Sequence, residues 1–154
     1  MGLNKMEKKN KKLRERLNEI RGKILSDSIE IEDNLTFRIF SFFYPKQNRK
    51  GTAFYWHILN THKFRFNDKI RLFEQIPYFK KLKTYDSIMI SLKFVRRLRN
   101  QLAHWELLEN KSKLDHIVLQ DPVKVERVII NDKLLEEFDK HKELLSRLLP
   151  YKHW

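Results

Sequence analysis

Apolar residues recur at helical spacing along most of the chain. Near its start, Leu13, Leu17, Ile20 and Ile24 are separated by four, three and four positions, which predicts an apolar stripe along one helix. A longer stripe steps by four, three, three, four and three positions: Ile88, Leu92, Val95, Leu98, Leu102 and Trp105. It predicts a long helix over residues 86–109 that lies at the centre of the core.

Capping residues and prolines set the limits of a second helix. It is expected to begin at Ser26, Asp27 or Ser28 and to end before Pro45. Its apolar residues are expected to be buried: Ile29, Leu35, Ile39, Phe42 and Phe43. Shorter patterns predict an aromatic helix in TAFYWHILN, a helix capped by Asn67 or Asp68, and a last helix capped by Asn131 or Asp132.

Before the last helix, the spacing of apolar residues changes from helical to strand-like. Ile117–Leu119 and Val123–Ile130 are rich in β-branched residues, and Asp121-Pro122 between them is typical of a turn, so a small hairpin is predicted. The fold class is therefore mainly α, a helical bundle with a small β-hairpin before the C-terminal helix. No linker or repeat divides residues 1–154, which are expected to form one domain with a basic, frayed end over residues 1–12.

Composition narrows the functional classes. Three glycines and four prolines in 154 residues disfavour a turn-rich β fold, and the absence of cysteine excludes disulfides and thiolate metal sites. The formal net charge of +13 attracts polyanions, of which nucleic acid is the commonest and an anionic membrane surface the next. Since no apolar run approaches the roughly 20 residues of a membrane span, we expect a cytoplasmic protein without a membrane segment.

The candidate chemistry lies in LRNQLAH, residues 98–104. A Gly-rich phosphate loop and a His-Glu-x-x-His motif are both absent from the sequence, and the other histidines are scattered, so neither a metal nor another cofactor is expected. Arg99, Asn100 and His104 remain, with Asn100 and His104 four positions apart on one helical face. By residue type alone, the default interpretation is an Arg and an Asn that cap or pair near a helix end, beside a packed His.

These three residue types suit RNA cleavage. RNA carries its own nucleophile, the 2′-OH, and histidine titrates near neutral pH, so it can move the proton. Arginine can hold the scissile phosphate and offset the charge that grows on it, and asparagine can orient either group. Lys93, Arg96 and Arg97 precede Arg99 on the same helix and could guide the RNA backbone. Alternatively, Arg96 or Arg97 pairs with an acidic residue of the second helix: Glu30, Glu32 or Asp33.

RLRNQLAHW resembles the signature of the HEPN superfamily, in which Arg and a polar residue are followed after three further residues by His. Here Arg99, Asn100 and His104 fill those positions. IEIEDNLTFRIFSFFYP also resembles the second helix of family members, and FRFNDKIRLFEQI resembles their helix with Lys and Ile at the places of Lys69 and Ile70. The resemblance spans roughly residues 12–109.

The resemblance implies a homodimer formed through the helix of residues 86–109, with Arg99 and His104 of both chains around one cleft that cleaves RNA without a metal ion. His104 would be the general base or acid, Arg99 the phosphate clamp and Asn100 the orienting group, with Glu30 and Asp33 in support. Attack by the 2′-OH would leave 2′,3′-cyclic phosphate ends.

Many family members act in toxin–antitoxin, abortive-infection or CRISPR-linked defence, which implies an antitoxin or defence-complex partner. The alternative is a non-catalytic HEPN module that dimerises or binds RNA or protein.

Overall fold

The computed structural model of the protein describes residues 4–46 and 48–149. Within these residues the chain forms six α-helices, a π-helical turn and a three-stranded antiparallel sheet. The elements in chain order are α1 (Lys5–Phe43), α2 (Arg49–Phe54), the π-helical turn (Tyr55–Leu59), α3 (Phe66–Gln75), α4 (Pro77–Lys80), α5 (Tyr85–His104), β1 (Glu106–Leu107), β2 (Ile117–Gln120), β3 (Arg127–Ile130) and α6 (Asp132–Leu148). The predicted class, mainly α, is confirmed.

Helix α1 is one helix of 39 residues, so the predicted break at residues 26–28 is wrong. The expected caps have other partners. The Ser28 hydroxyl donates a hydrogen bond to the carbonyl of Ile24 at 2.6 Å, as a serine within a helix can, and Asp27 accepts one from Lys142 of α6 at 2.7 Å. Neither side chain caps a backbone N–H of α1, so the helix continues through both residues.

The start of α1 also differs from the prediction. The Asn4 side chain accepts a hydrogen bond from the Met6 N–H, and Glu7 accepts one from the Asn4 N–H at 2.8 Å, which forms a capping box. The cap satisfies backbone N–H groups that would otherwise lack partners, so residues 5–12, expected to be frayed, are helical. Residues 1–3 of the predicted frayed end lie outside the described residues.

The buried residues of α1 differ in part from those predicted. Leu35 and Ile39 are fully buried, as expected, whereas Ile29, Phe42 and Phe43 are exposed. Two of the three have aromatic partners near the surface: Phe42 packs against Phe79 of α4 at 5.4 Å between ring centroids, and Phe43 against Phe54 of α2 at 5.8 Å.

Helix α5 ends at His104, and the prediction that it continues to residue 109 is wrong. The Arg21 guanidinium donates to the carbonyl of Leu102 at 2.7 Å and to that of Trp105 at 3.0 Å, which satisfies carbonyls at the helix end. The next two residues form β1, in which Leu107 lies opposite Leu119 of β2. Glu106 and Leu107, which the helical spacing predicted to belong to α5, therefore pair with β2 instead.

The predicted hairpin is confirmed and gains β1 as a third strand, in the order β1-β2-β3. Ile117 of β2 lies opposite Ile130 of β3. Asp121 turns the chain between them, because its carboxylate accepts hydrogen bonds from the N–H groups of Val123 and Lys124. That turn extends to residue 126, so β3 begins at Arg127 rather than at Val123.

The caps of α3 and α6 test two further predictions. Asn131 caps α6 as expected, because its side chain accepts a hydrogen bond from the Leu134 N–H at 3.0 Å. Helix α3 begins earlier than predicted, with Arg65 at its cap. Asp68 lies inside the first turn, and its carboxylate accepts from the Arg65 N–H at 3.0 Å, so it satisfies a backbone donor at the start of the helix.

In residues 4–46 and 48–149, every helix is too short or too polar to cross a bilayer.

A polar pair, with Ser91 buried and His141 partly buried, joins α5 to α6. Ser91 Oγ and His141 Nδ1 share a hydrogen bond of 2.8 Å, and the His141 ring lies 4.4 Å from the ring of Phe94. Burial lowers the pKa of His141 below its ordinary value, against the opposing effect of the Glu137 carboxylate, 4.0 Å from Nε2. The imidazole is therefore held neutral within the folded protein at neutral pH.

We predict that His141 makes folding stability depend on pH. The unfolded chain binds a proton at His141 near pH 6.5, whereas the folded chain binds it only at a lower pH, so stability falls as pH drops below about 6.5. Urea unfolding at pH 7.5 and pH 5.0 should show a smaller fall for His141→Gln than for the wild type. His57→Gln, at an exposed histidine, should behave as the wild type does. Equal falls in all three proteins would contradict the prediction.

Candidate active site

A groove of about 640 Å³ lies between α5 and the segment that leads into α3. The carboxyl-terminal half of α5 forms one side, residues 61–67 form the other, and α1 contributes Leu25 and Glu32. The lining residues are Leu25, Glu32, Thr61, His62, Phe64, Arg65, Phe66, Asn67, Arg96, Arg99, Asn100, Ala103 and His104. All three residues of the predicted catalytic motif therefore line one groove.

Helical periodicity explains why the motif residues meet there. Arg96, Arg99, Asn100, Ala103 and His104 are related by steps of three and four, so they share one side of α5. Leu98 and Leu102, on the adjoining side, are buried and fix the rotation of the helix. Asn100 and His104 are exposed, whereas Arg99 is half-buried, so two of the three motif side chains are open to solvent.

Arg99 is held by a carboxylate of α1. Its Nη1 lies 2.9 Å from Oε2 of Glu32, while Oε1 of the same carboxylate lies 2.8 Å from Nζ of Lys69 in α3. The Lys69 side chain is only 4% exposed and that of Glu32 16%, so this ion-pair network is largely shielded from water. The Arg99 guanidinium also lies over the Phe66 ring, 5.6 Å from its centroid.

Arg96 forms a hydrogen bond with a residue on the opposite side of the groove. Its Nη1 donates a hydrogen bond to the Asn67 side-chain oxygen, while its buried Nε has no hydrogen-bond partner in the protein. The predicted alternative, in which Arg96 or Arg97 pairs with Glu30, Glu32 or Asp33, is not found. The carboxylate that meets an arginine of α5 is Glu32, and the arginine is Arg99.

The other two predicted RNA-binding residues line a neighbouring groove. Lys93 and Arg97 face a cavity of about 720 Å³ that shares only Arg96 and Asn100 with the first. Lys93 is paired with Glu74 at 3.2 Å, but both side chains are about half exposed. Lys93 and Arg97 are thus close to the motif residues in sequence but belong to a different concave surface.

The predicted supporting acids lie elsewhere. Glu30 faces α6, where its carboxylate is 3.5 Å from Nζ of Lys142, and it does not line the groove. Asp33 does not line it either. Burial raises the pKa of the Asp33 carboxyl; the Lys69 ammonium opposes this rise and the Glu32 carboxylate adds to it. Glu32, which lies between these two residues in the sequence, provides the support to the motif that Glu30 and Asp33 were expected to give.

Four aromatic residues whose rings could stack on RNA bases, Phe64, Phe66, Tyr78 and Trp105, are divided between several surfaces. Phe64 and Phe66 line the groove with the motif, although Phe66 is buried. Trp105 lines the neighbouring groove. Tyr78 is more than half exposed and packs against Phe42, at 5.5 Å between ring centroids. Only Phe64 therefore combines partial exposure with a place in the motif groove.

Sequence reasoning missed the second side of the groove. His62 and Arg65 lie in a connector without helical or strand period, where no spacing rule says which way a side chain points. Asn67 was assigned to a helix cap instead. The available signal was compositional, because HKFRF places a histidine and an arginine close to two aromatic residues.

The groove is rich in groups that bind and act on phosphate. It gathers three guanidiniums, two imidazoles and two carboxamides around one carboxylate. Guanidiniums bind phosphate through paired hydrogen bonds, and imidazoles transfer protons near neutral pH. Among the residues that the structure describes, no group of three or more His, Asp or Glu side chains is arranged to hold a metal ion.

Comparisons with protein-family models, curated protein sequences and solved structures find no match to this chain.

We predict that Glu32 stabilises the fold far more than its neighbour Glu30. Glu32→Ala leaves the buried Lys69 ammonium without its partner, so the free energy of unfolding should fall by about 3–5 kcal/mol. Glu30→Ala removes a side chain that is 58% exposed and should change it by less than about 1 kcal/mol. Urea unfolding measures both.

A second variant separates the lost ion pair from a general packing defect. Lys69→Met in the Glu32→Ala background removes the unpaired charge and should restore most of the stability. If Glu30→Ala and Glu32→Ala lower stability equally, or if Lys69→Met restores nothing, the ion-pair interpretation is wrong.

Proposed function

We propose that the protein is a HEPN-type endoribonuclease that cleaves RNA without a metal ion. The observation that supports this most is that Arg99, Asn100 and His104 line one groove, with Arg99 anchored by Glu32. An anchored guanidinium keeps its position while charge grows on the substrate, which is the arrangement that lowers a reaction barrier. The exposed imidazole of His104 can reach a bound substrate.

The reaction follows from the chemistry of these groups. Arg99 binds the scissile phosphate and offsets the additional charge of the transition state. His104 transfers a proton, either from the attacking 2′-OH or to the departing 5′-oxygen. Asn100 donates or accepts hydrogen bonds that orient the ribose or the phosphate. The products are a 2′,3′-cyclic phosphate and a 5′-hydroxyl.

The neighbouring groove provides a path for the RNA backbone. Lys93 and Arg97 line it, and Arg96 borders both grooves, so cations continue along α5 beyond the motif. Such contacts bind phosphates regardless of base and make affinity depend on salt. The net charge of +13 favours capture of RNA by the same electrostatics.

The exposed face of α5 supports a homodimer. Ile90, Lys93, Arg97, Asn100 and His104 are exposed at steps of three and four, and Ile90 is 63% exposed. Two copies of α5 that meet through Ile90 about a two-fold axis would bring the two Asn100–His104 edges together and leave Lys93 and Arg97 at the rim, open to the RNA backbone. In such a dimer the motif groove of each protomer opens beside that of its partner.

The proposed biological role rests on the sequence resemblance alone. The proposed role is in a toxin–antitoxin, abortive-infection or CRISPR-linked defence system, with an antitoxin or defence complex as partner. A non-catalytic HEPN module that binds RNA or protein is the competing function, and it predicts RNA binding without cleavage.

We predict that the purified protein cleaves RNA in the presence of EDTA and leaves 2′,3′-cyclic phosphate ends. Arg99→Ala removes the phosphate clamp and His104→Ala removes the proton-transfer group, so each should lower the cleavage rate by about 10²–10⁴-fold. End-group analysis of labelled RNA measures both the rate and the product.

Two exposed residues outside the groove provide matched controls. Arg71→Ala and His57→Ala remove the same residue types and should leave the rate within about threefold of the wild type, since neither lines the groove. The absence of cleavage by the wild type over a broad RNA panel, with RNA binding retained, would favour the non-catalytic module.

We predict that the exposed face of α5 mediates dimerisation. The wild type should sediment as a dimer at micromolar concentration, and Ile90→Asp should shift it to a monomer because it places a charge in the interface core. Ile129→Asp, at an exposed position on β3, should leave the dimer intact. A wild-type monomer, or a dimer indifferent to Ile90→Asp, would contradict this interface.

A further inference from the structure

We propose that His62 is the second proton-transfer group of the motif groove, so that one protomer supplies both the base and the acid of the reaction. This inference rests on the proposed ribonuclease function and adds a catalytic residue to it. His62 and His104 line the same groove from opposite elements, His62 from the segment before α3 and His104 from the end of α5.

Local hydrogen bonds fix the position of His62. It lies at a corner of a turn in which the Phe64 N–H donates to the carbonyl of Thr61 at 3.1 Å. The Thr61 hydroxyl donates to the carbonyl of Ile58 at 3.1 Å, which ties this turn to the π-helical turn before it. His62 is therefore an exposed side chain on a constrained backbone.

The surroundings of the two imidazoles suit a phosphodiester. Arg65, Arg96 and Arg99 line the same groove, so phosphate-binding groups come from both of its sides. The volume of about 640 Å³ is within the range of small-molecule sites and can admit a nucleotide segment. Glu32, which binds Arg99 and Lys69, is the one carboxylate in the groove.

Cleavage by the 2′-OH needs two proton transfers. A neutral imidazole accepts the 2′-OH proton as the oxygen attacks phosphorus and forms the new P–O bond. A protonated imidazole gives its proton to the 5′-oxygen as the P–O5′ bond breaks. The sum releases a 5′-hydroxyl and a 2′,3′-cyclic phosphate, and exchange with water restores both imidazoles. His62 and His104 fill these two roles on opposite sides of the phosphate.

The test compares His62→Asn and His104→Asn with the wild type over a range of pH in EDTA. The wild type should give a bell-shaped rate profile, and each variant should lose about 10²–10⁴-fold in rate together with one limb of the bell. Binding of a non-cleavable RNA with 2′-deoxy substitution should change little. His57→Asn, the matched exposed histidine, should keep the wild-type rate and profile.

A modified substrate distinguishes the acid from the base. Sulfur in place of the 5′-oxygen at the mapped cleavage site leaves as a thiolate and needs no proton from the enzyme. The rate of one variant, the one that lacks the acid, should then return close to that of the wild type, while the other variant stays slow. Recovery in both variants or in neither would overturn the pairing of roles.

Mixing the two variants tests whether both imidazoles act within one chain. A heterodimer of His62→Asn and His104→Asn protomers contains no intact groove, so mixing should restore no activity. Recovery on mixing would place the acting pair across the dimer and overturn the one-chain assignment.

The outcomes separate this inference from the proposed function. If the wild type cleaves RNA but His62→Asn keeps its rate and its bell-shaped profile, only the role of His62 is wrong. If the wild type does not cleave RNA, the ribonuclease function fails and the role of His62 fails with it.

Discussion

The arrangement of the groove depends on the carboxylate of Glu32, which binds Lys69 of α3 and Arg99 of α5. Removing three charged groups from water is costly, and this cost is offset only while both cations remain at hydrogen-bonding distance. The network therefore ties α1, α3 and α5 together at one point. A shift of α3 would expose the Lys69 ammonium to water or leave it buried without its partner. A rotation of α5 would separate Arg99 from Glu32. The same contact that stabilises the bundle thus fixes the position of the proposed phosphate clamp.

The network also sets the charge of the groove. Glu32 balances one of its two cations, so the Lys69–Glu32–Arg99 group remains positive overall. Arg65 and Arg96 add further positive charge on the same surface. A further acid of α1, Asp33, has its pKa raised by burial and does not line the groove. An anionic substrate consequently meets a site whose one carboxylate is already engaged by cations.

Sequence patterns predicted the features that depend on periodicity. The stripe from Ile88 to Leu102 identified the buried side of α5, and the change of period identified the strands. The ends of the elements depended on partners distant in sequence. Arg21 caps α5, and pairing with β2 draws Leu107 into a strand. For the same reason, one side of the candidate site followed from the helical motif, whereas His62 and Arg65 became neighbours of that motif only through the tertiary fold.

Helix α5 can serve in the core, in the proposed catalytic groove and in the proposed dimer contact because three of its sides have different surroundings. One side, with Leu98 and Leu102, is buried in the core; a second faces the motif groove; a third, with Ile90 and Arg97, is exposed. Asn100 and His104 lie at the boundary between the second and third sides. A partner packed on the exposed side would therefore extend the walls of the groove without filling it. Dimerisation and catalysis can then reinforce each other, even if the two proton-transfer groups belong to one chain.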